Sequence, residues 1–457
     1  MSDRPVVILM TSNGVGMGHL SRQLTVALSG AHRFDAVILT LSRALPRVIE
    51  AAHSGELPDA TDRGVRFEYA PSWESGWLPT GWRAPLRRKY RSYRWAPYLR
   101  DRIRALAVET GAQALVFDGV APYPGLIGAR QQLPELKFAW LRRGLWRRGA
   151  PAARLDLSRY FDLTIEPGDV ASQWDRGPTR GRTDVERLPG AVSLTDVLSP
   201  YSREEARRRL HLPADRPILL LTPGSGALAS VDATAAEVLA AVRAAHPDWL
   251  VAVTRQSIAR HSIQEDAGRV IVLDDVFPLV RYLSAFDAAV GVGGYNGVHE
   301  LLSAGIPTLL IPSLHHATDD QPARTGGAAR RGAALTVQSS IASAIDRLLT
   351  PAVQDELRAV MRTLEPASAG LLIADRVAEL AGAGTPATTW PNVTPYAPLP
   401  DLRTQARRGT PTEVRWTHQL DRAMLEDVRP VEHVLPGTSQ RYAAERRQIA
   451  NWLYRTR

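Results

Sequence analysis

Glycine turns, a histidine and several carboxylates occur where this 457-residue chain changes from strand to helix pattern. In the stretch from Asp287 to Arg331, the apolar strand Ala288–Val292 runs into Gly293 and Gly294, and apolar residues then recur at helical spacing. A glycine turn that opens a helix presents unpaired N–H groups and the positive end of the helix dipole, which together suit a phosphate. The spacing therefore predicts an anion site at the start of this helix.

A polar turn follows the next predicted strand, Thr308–Ile311. It contains Asp319, Asp320 and Gln321 at the carboxyl end of that strand. In an open α/β sheet ligands bind at this edge. We therefore expect this turn and the glycine turn to face the same ligand.

The strings GGYNGVHE, AGIPTLLIP and DDQ, in this order and spacing, resemble the donor-sugar motif of the GT-B glycosyltransferases that use nucleotide sugars. This group includes the plant and macrolide UDP-glycosyltransferases and the MurG-type N-acetylglucosaminyltransferases. The PGSGA loop and the Asp275–Phe277 region resemble its first phosphate-side loop and base-binding region. The resemblance implies a donor site formed by Gly224, Ser225, Gly226, Val276, Gly294, Asn296, Gly297, Val298, Glu300, Asp320 and Gln321.

The resemblance also implies a role for each residue. Asn296 and the N–H groups after it would hold the diphosphate, Glu300 would accept hydrogen bonds from the ribose hydroxyls, and Asp320 and Gln321 would hold hydroxyls of the transferred sugar. Val292 stands where the plant enzymes usually have a phosphate-binding histidine, and Gly297 where they have serine. Diphosphate binding would therefore depend on backbone N–H groups.

The string GMGHLSR near the N-terminus follows the apolar strand Val6–Met10 and opens a helix. It resembles the first glycine loop of MurG-like enzymes, in which Gly16 and Gly18 would lie on the acceptor side and His19 would act as general base. A histidine suits that role because its pKa lies near the working pH. The alternative is that His19 is a polar residue at the start of a helix.

Asp118 ends the predicted strand Ala114–Phe117. A carboxylate there lies on the ligand edge of a parallel sheet. In the plant enzymes an aspartate at the corresponding place hydrogen-bonds the catalytic histidine, so the resemblance implies a pair of His19 with Asp118. The alternative is an aspartate that caps a turn.

Length and composition limit the class of protein. The chain is long enough for two or three domains, and it contains no cysteine, which excludes disulfides, cysteine nucleophiles and thiolate metal sites. No stretch has the pattern of a signal peptide or is apolar enough to span a bilayer. These features predict a cytoplasmic protein.

The net charge of +9 comes from arginine with very little lysine. Aromatic residues and arginines alternate from Trp73 to Arg104. Such a segment fits contact with an acceptor or with an anionic membrane at the inner face of the plasma membrane, and a solvated amphipathic helix is the alternative. Nucleic acid is the least expected partner.

Strand and helix patterns alternate in two halves, which predicts an α/β chain with two doubly wound, Rossmann-like domains facing a central cleft, the GT-B architecture. We predict an acceptor-binding domain over residues 1–195, a donor-binding domain over 196–384, and a proline- and arginine-rich extension with a terminal helix over 385–457. Phe161–Glu166 is expected to be the last strand of the first half, and Pro278–Ser284 a helix.

The sequence thus predicts an inverting glycosyltransferase that needs no metal and no cofactor, and that binds a nucleotide-sugar donor, expected to be UDP-linked, and a hydroxyl acceptor. Adjacent acidic and histidine residues on one loop, Asp319-Asp320 and His315-His316, lack the convergent spacing of metal ligands. Two alternatives stay open at this point. One is an enzyme like the hydrolysing UDP-N-acetylglucosamine 2-epimerases, and the other is a nucleotide-sugar-binding protein without catalysis.

Overall fold

A computed structural model describes residues 4–12, 17–57, 65–72, 84–224, 232–255, 269–314, 316–364 and 369–382, with the backbone alone at 84–94 and 232–233. The extension predicted over 385–457 lies outside the described residues, as do Gly16, Ser225 and Gly226.

The first sheet has seven parallel strands in the order β3-β2-β1-β4-β5-β6-β7. They are β1 (Val6–Thr11), β2 (Asp35–Thr40), β3 (Arg66–Tyr69), β4 (Ala114–Asp118), β5 (Lys137–Leu141), β6 (Leu163–Pro167) and β7 (Glu186–Leu188). Its helices are α1 (Gly18–Ser29), α2 (Leu45–His53), α3 (Ala84–Thr110) and α4 (Pro124–Gln132). The central strands are almost wholly buried, which is why they are nearly continuous apolar runs in the sequence.

The second sheet has six parallel strands in the order β10-β9-β8-β11-β12-β13. They are β8 (Ile218–Thr222), β9 (Leu250–Arg255), β10 (Val270–Asp274), β11 (Ala288–Val292), β12 (Thr308–Ile311) and β13 (Leu335–Thr336). Its helices are α5 (Arg203–Arg209), α6 (Asp232–Ala245), α7 (Tyr295–Ser303), α8 (Gln321–Arg330), α9 (Ile341–Leu348) and α10 (Pro351–Met361). Two doubly wound parallel sheets in one chain confirm the predicted α/β architecture.

The last described helix, α11 (Ala369–Leu380), returns to the first sheet. It packs against α1, and Arg376 in it forms an ion pair with Glu186 of β7 at 2.8 Å. The N–H of Gly370 also donates to Asp196. The chain therefore crosses between the two sheets twice, and the domain bounds drawn from the sequence stay a prediction.

Two sequence-based assignments are wrong. Strand β7 follows β6, so Phe161–Glu166 is not the last strand of the first half. The predicted helix Pro278–Ser284 consists instead of two short 3-10 turns, Leu279–Arg281 and Leu283–Ala285. Strand β7 has only three residues and no buried one, so it leaves no apolar pattern to detect.

The arginine- and aromatic-rich segment is described only in part, since residues 73–83 lie outside the described residues and side chains are described from Trp95 onward. Trp95 is 4% exposed and donates to the carbonyl of Pro71 at 2.7 Å, so it belongs to the core. Arg100 and Arg102 form ion pairs with Asp101 and Glu68. Among the helices that the structure describes, none combines the length and apolarity that crossing a bilayer requires.

Candidate active site

The first sheet places His19 and Asp118 at one edge. Thr11 at the end of β1 is in register with Asp118 at the end of β4, and the amide of Ser12 donates to the Asp118 carbonyl at 2.8 Å. Helix α1 follows β1 and begins at Gly18, so His19 stands in its first turn. The strand-to-helix connection thus brings together residues 99 positions apart.

His19 Nδ1 lies 3.0 Å from Asp118 Oδ1, and the two side chains are 16% and 1% exposed. Burial lowers the pKa of His19, which outweighs the opposing effect of the Asp118 charge. Burial alone would raise the pKa of Asp118, but the positive charge of Arg22, with a further contribution from His19, lowers it to about 2. At neutral pH the site therefore pairs a neutral imidazole with an ionised carboxylate.

Arg22, one turn further along α1, is the second partner of Asp118. Its Nε donates to Oδ2 and its Nη2 to Oδ1, both at 2.9 Å, which forms a bidentate pair. The same Nη2 lies 2.7 Å from His19 Nδ1. Its Nη1 donates to Asn296 Oδ1 at 2.8 Å, across the cleft in helix α7. Arg22 therefore connects the His19–Asp118 pair to the second domain.

The glycine turn before α7 lies where the sequence placed it. The N-cap is Gly294, which has no side chain to cap the helix, so the N–H groups of the first turn are available to a ligand. A Cβ atom built on Gly294 or Gly297 meets nothing within 4 Å, so this turn faces open space. Asn296 Nδ2 donates to the Gly18 carbonyl at 3.1 Å, and Val298 is buried against the sheet.

Glu300 lies further along α7, partly buried. Burial raises its pKa to about 7. Within the part of the chain that the structure describes, its carboxylate has no hydrogen-bond or ion-pair partner. A partly buried acid without a partner costs free energy, which a ligand with hydroxyl donors could offset.

Two of the remaining predicted donor residues, Gly224 and Val276, lie on the β8 and β10 side of the second sheet. Gly224, at a φ of +80°, lies two residues after the end of strand β8 and against Val292. Val276 is partly buried against the core, next to Asp275, which pairs with Arg47 across the cleft at 2.8 Å.

Asp320 and Gln321 both have structural hydrogen bonds. The Asp320 carboxylate caps α8 by accepting from the Ala323 amide at 3.0 Å. Gln321 is 3% exposed, its Oε1 accepts from the Ser313 amide at 2.9 Å, and it packs against Gly293 beside the α7 turn. The structure thus places both residues at the start of α8, beside the glycine turn of α7, and one side-chain oxygen of each accepts a structural hydrogen bond.

Main-chain hydrogen bonds join the segment after β5 to the segment before α8. Arg147 N–H donates to Thr318 at 2.6 Å and Asp320 N–H to Leu145 at 3.0 Å. Between these segments is a small pocket lined by Asp118, Gly119, Val120, Arg143, Gly144, Trp146, Thr318 and Asp319. Asp118 therefore lines a space bounded by both domains.

Of the two aspartates in this turn, Asp319 is the one whose side chain lies near an arginine of the first domain. It pairs with Arg324 at 2.9 Å and lies 3.7 Å from Arg143. Arg324 is fully buried and also binds Asp169 at 2.7 Å and the Gly293 carbonyl at 2.9 Å. The side chain of Asp319 is therefore engaged in ion pairs rather than in a cluster of metal-binding groups.

Sequence reasoning missed the arginines of the site. Arg22, Arg143 and Arg324 surround the ring of Tyr295, with each guanidinium 5.6 to 5.8 Å from the ring centre. Only Arg22 carried a signal, because a residue three positions after His19 lies on the same helix face. Nothing in the local sequence marked Arg143 or Arg324 apart from the chain's many other arginines.

Comparisons with known proteins agree with the motifs. No family model matches the chain. A transferase of Acetivibrio thermocellus, the UDP-N-acetylglucosamine–N-acetylmuramyl-(pentapeptide) pyrophosphoryl-undecaprenol N-acetylglucosamine transferase, is 26% identical over 140 residues, which are 30% of this chain and 38% of the relative. The protein of the same description from Exiguobacterium sibiricum is 23% identical over 207 residues, 44% of this chain and 55% of the relative. The chain thus matches about a third to a half of the length of these relatives.

Solved structures resemble the chain over most of its length. The kitacinnamycin glycotransferase superposes with a TM-score of 0.55 at 17% identity and covers 82% of this chain and 99% of its own. UGT2 of Phytolacca americana also gives 0.55, at 14% identity, with 82% and 100% covered. CalG4, the calicheamicin glycosyltransferase, gives 0.53 at 15% identity, with 84% and 99% covered. The fold is GT-B, as the motifs predicted, and its sequence resemblance to the MurG-type transferases is confirmed.

Proposed function

We propose that this chain is an inverting glycosyltransferase that moves a sugar from a nucleoside diphosphate sugar to an acceptor hydroxyl without a metal ion. The observation that carries the proposal is the position of the His19–Asp118 pair across the cleft from the glycine turn of α7, with Arg22 and Asn296 joining the two at 2.8 Å. A base and an anion site that face each other across one cleft suit a single displacement between them.

The reaction follows from this placement. His19 Nε2 takes the proton of the acceptor hydroxyl as its oxygen attacks the anomeric carbon. The bond from that carbon to the diphosphate breaks on the opposite side, and its electron pair leaves with the diphosphate. The free N–H groups of the α7 turn stabilise the departing charge, and one displacement inverts the anomeric centre.

The donor contacts follow the same geometry. The turn from Gly294 to Val298 holds the diphosphate. Glu300 accepts hydrogen bonds from the ribose hydroxyls, since its carboxylate has no partner among the described residues. The loop at Gly224 and the main chain near Val276 hold the rest of the nucleotide. Asp320 and Gln321 hold sugar hydroxyls with the oxygen and amide groups that their structural hydrogen bonds leave free.

We further propose that the acceptor is a lipid-linked envelope precursor or a small natural product. The resemblance to transferases named for an undecaprenol-linked acceptor supports the first class, and the folds of natural-product glycosyltransferases support the second. A peripheral contact with an anionic membrane, from the cytoplasmic side, belongs with the first class.

Replacement of His19 with Gln tests the base. Removing a general base lowers the rate by about a hundredfold to ten-thousandfold. Donor affinity should stay nearly unchanged, because His19 itself makes none of the proposed donor contacts. The assay incubates the protein with UDP-sugars and both classes of acceptor, and follows release of UDP and sugar transfer.

The matched control is His246→Gln, since His246 pairs with Asp346 on the surface away from the cleft. It should retain full activity. Inversion at C2 without transfer would indicate an epimerase, and donor binding without turnover would indicate a binding protein. Full transfer by His19→Gln would refute the mechanism.

A further inference from the structure

The two edges of the Arg22 guanidinium have different partners. The edge formed by Nε and Nη2 is bidentate to Asp118. The edge formed by Nη1 and Nη2 is divided between Asn296 Oδ1, at 2.8 Å, and His19 Nδ1, at 2.7 Å. A guanidinium edge matches two oxygens of one phosphate. Two unrelated groups from two domains therefore share a fork that a single phosphate would fill.

His19 Nδ1 cannot satisfy both of its neighbours. Asp118 Oδ1, at 3.0 Å, accepts a hydrogen bond only if Nδ1 carries a proton. Arg22 Nη2 can only donate, so it requires Nδ1 to be unprotonated. The tautomer with its proton on Nδ1 leaves Nε2 unprotonated and able to act as base. In that tautomer Nδ1 cannot accept the hydrogen bond from Arg22, so Arg22 disfavours it.

An anion at the α7 turn would lie beside this fork. Asn296 bonds Arg22 and the Gly18 carbonyl, so the first turns of α1 and α7, both positive helix ends, meet here. Arg324, the other fully buried guanidinium near the turn, is held by Asp169, Asp319 and the Gly293 carbonyl. Of the three described arginines around Tyr295, Arg22 is thus the one whose guanidinium bonds Asn296 in the turn, while Arg143 lies 3.7 Å from Asp319.

We propose that Arg22 is a positioning residue that couples donor binding to His19. The diphosphate of the donor takes the Nη1–Nη2 edge of Arg22, displacing Asn296 Oδ1 and His19 Nδ1, while the Nε–Nη2 edge stays on Asp118. His19 then keeps Asp118 as its partner, carries its proton on Nδ1 after exchange with solvent, and presents an unprotonated Nε2 to the acceptor. This inference rests on the proposed function. It predicts that the donor binds before His19 adopts the tautomer in which Nε2 can accept the acceptor proton.

The charged groups that face His19 are Asp118 from β4, Arg22 from α1, and Arg143 from the segment after β5. α7 contributes the uncharged amide of Asn296. Burial lowers the His19 pKa most, and the two arginines lower it further against Asp118, so the ring is neutral in the free protein. The proposed change on donor binding is in the tautomer of this ring, with the proton on Nδ1 and none on Nε2.

The experiment observes the ring directly in the full chain labelled with 15N-histidine. The His19 signals are assigned by their loss in His19→Gln, and UDP is added, with uridine as a control without phosphate. UDP should move Nδ1 toward the shift of a protonated nitrogen and Nε2 toward that of an unprotonated one, whereas uridine should leave both in place. If UDP binds by calorimetry and the ring signals do not move, the coupling is refuted and the proposed function stands. If neither UDP nor any nucleotide sugar binds, both are refuted.

One variant separates the effect of the planar guanidinium edge from the effect of the positive charge. Arg22→Lys keeps a cation but presents no planar edge. It should bind UDP about tenfold to a hundredfold more weakly, and at saturating UDP its His19 signals should no longer respond. Arg130→Lys, in α4 and bonded to Asp162, is the matched control and should behave as the wild type. A UDP-dependent ring shift of wild-type size in Arg22→Lys would overturn the role of the fork.

Discussion

Replacement of Asp118 with Asn should affect stability as well as activity, because Asp118 is the bidentate partner of a buried arginine. Asp118 and Arg22 side chains are 1% and 3% exposed. An asparagine offers one acceptor oxygen in place of two and turns an amide donor toward a guanidinium that can only donate. The substitution therefore leaves a buried cation without its counter-charge.

Two routes give the size of the effect. Removing one partner of a buried ion pair typically costs about 3–5 kcal/mol of the free energy of unfolding. The pKa of Asp118 lies at about 2 instead of 3.8, which corresponds to roughly 2–3 kcal/mol at neutral pH. A loss of about 3 kcal/mol at pH 7 is consistent with both.

The pH dependence has a defined sign. Since the folded-state pKa of Asp118 is lowered, its contribution is fully present above the unfolded-state value and is lost as the pH falls through about 2. The stability difference between the wild type and Asp118→Asn should therefore be constant from pH 7 to about 4 and then shrink.

Urea unfolding followed by tryptophan fluorescence measures both predictions. Asp346→Asn is the control, because Asp346 pairs with His246 on the surface with 57% of its side chain exposed, and it should lose less than about 1 kcal/mol. The double variant with Arg22→Gln removes both buried charges and should be more stable than Asp118→Asn alone. Equal losses in Asp118→Asn and Asp346→Asn, or a difference that grows below pH 4, would refute the buried ion pair as a source of stability.

Three further predictions concern donor binding, stability at high pH and membrane contact. Glu300→Ala should weaken nucleotide-sugar binding by about 1.5–3 kcal/mol in calorimetry, while exposed Glu356→Ala should not; equal affinities would remove Glu300 from the site. Because burial raises the pKa of Glu300 from 4.5 to about 7, the free energy of unfolding falls as the pH rises from about 4.5 to 7 and stays lower above 7, so Glu300→Gln should be more stable than the wild type at pH 8 and equal to it at pH 4 in urea unfolding. If the segment Trp73–Arg104 contacts a membrane, sedimentation with liposomes should require anionic lipid and weaken with salt; binding insensitive to both would contradict this.

The sequence by itself determined the fold class and the positions of the glycine turns that open α1 and α7. Buried parallel strands are continuous apolar runs, and glycine turns that open helices are local signals, so β1, β11 and the start of α7 could be predicted from short windows. The pairing of His19 with Asp118 is implied by the resemblance to the plant enzymes, and the strand pattern alone places Asp118 only at the ligand edge of the sheet. Short segments without an apolar pattern, such as β7 and the 3-10 turns after Pro278, could not.

Only the tertiary structure decided which charges meet in the cleft. Arg22, Arg143 and Arg324 converge on Tyr295 from three separate segments, and no local pattern distinguishes them from the arginines on the surface. The conflict at His19 Nδ1 likewise depends on a guanidinium that bonds Asp118 and His19 of the first domain and Asn296 of the second. Hydrophobic periodicity specifies which side of an element is buried, whereas a hydrogen-bond network depends on distances of about 3 Å that arise only when the elements have packed.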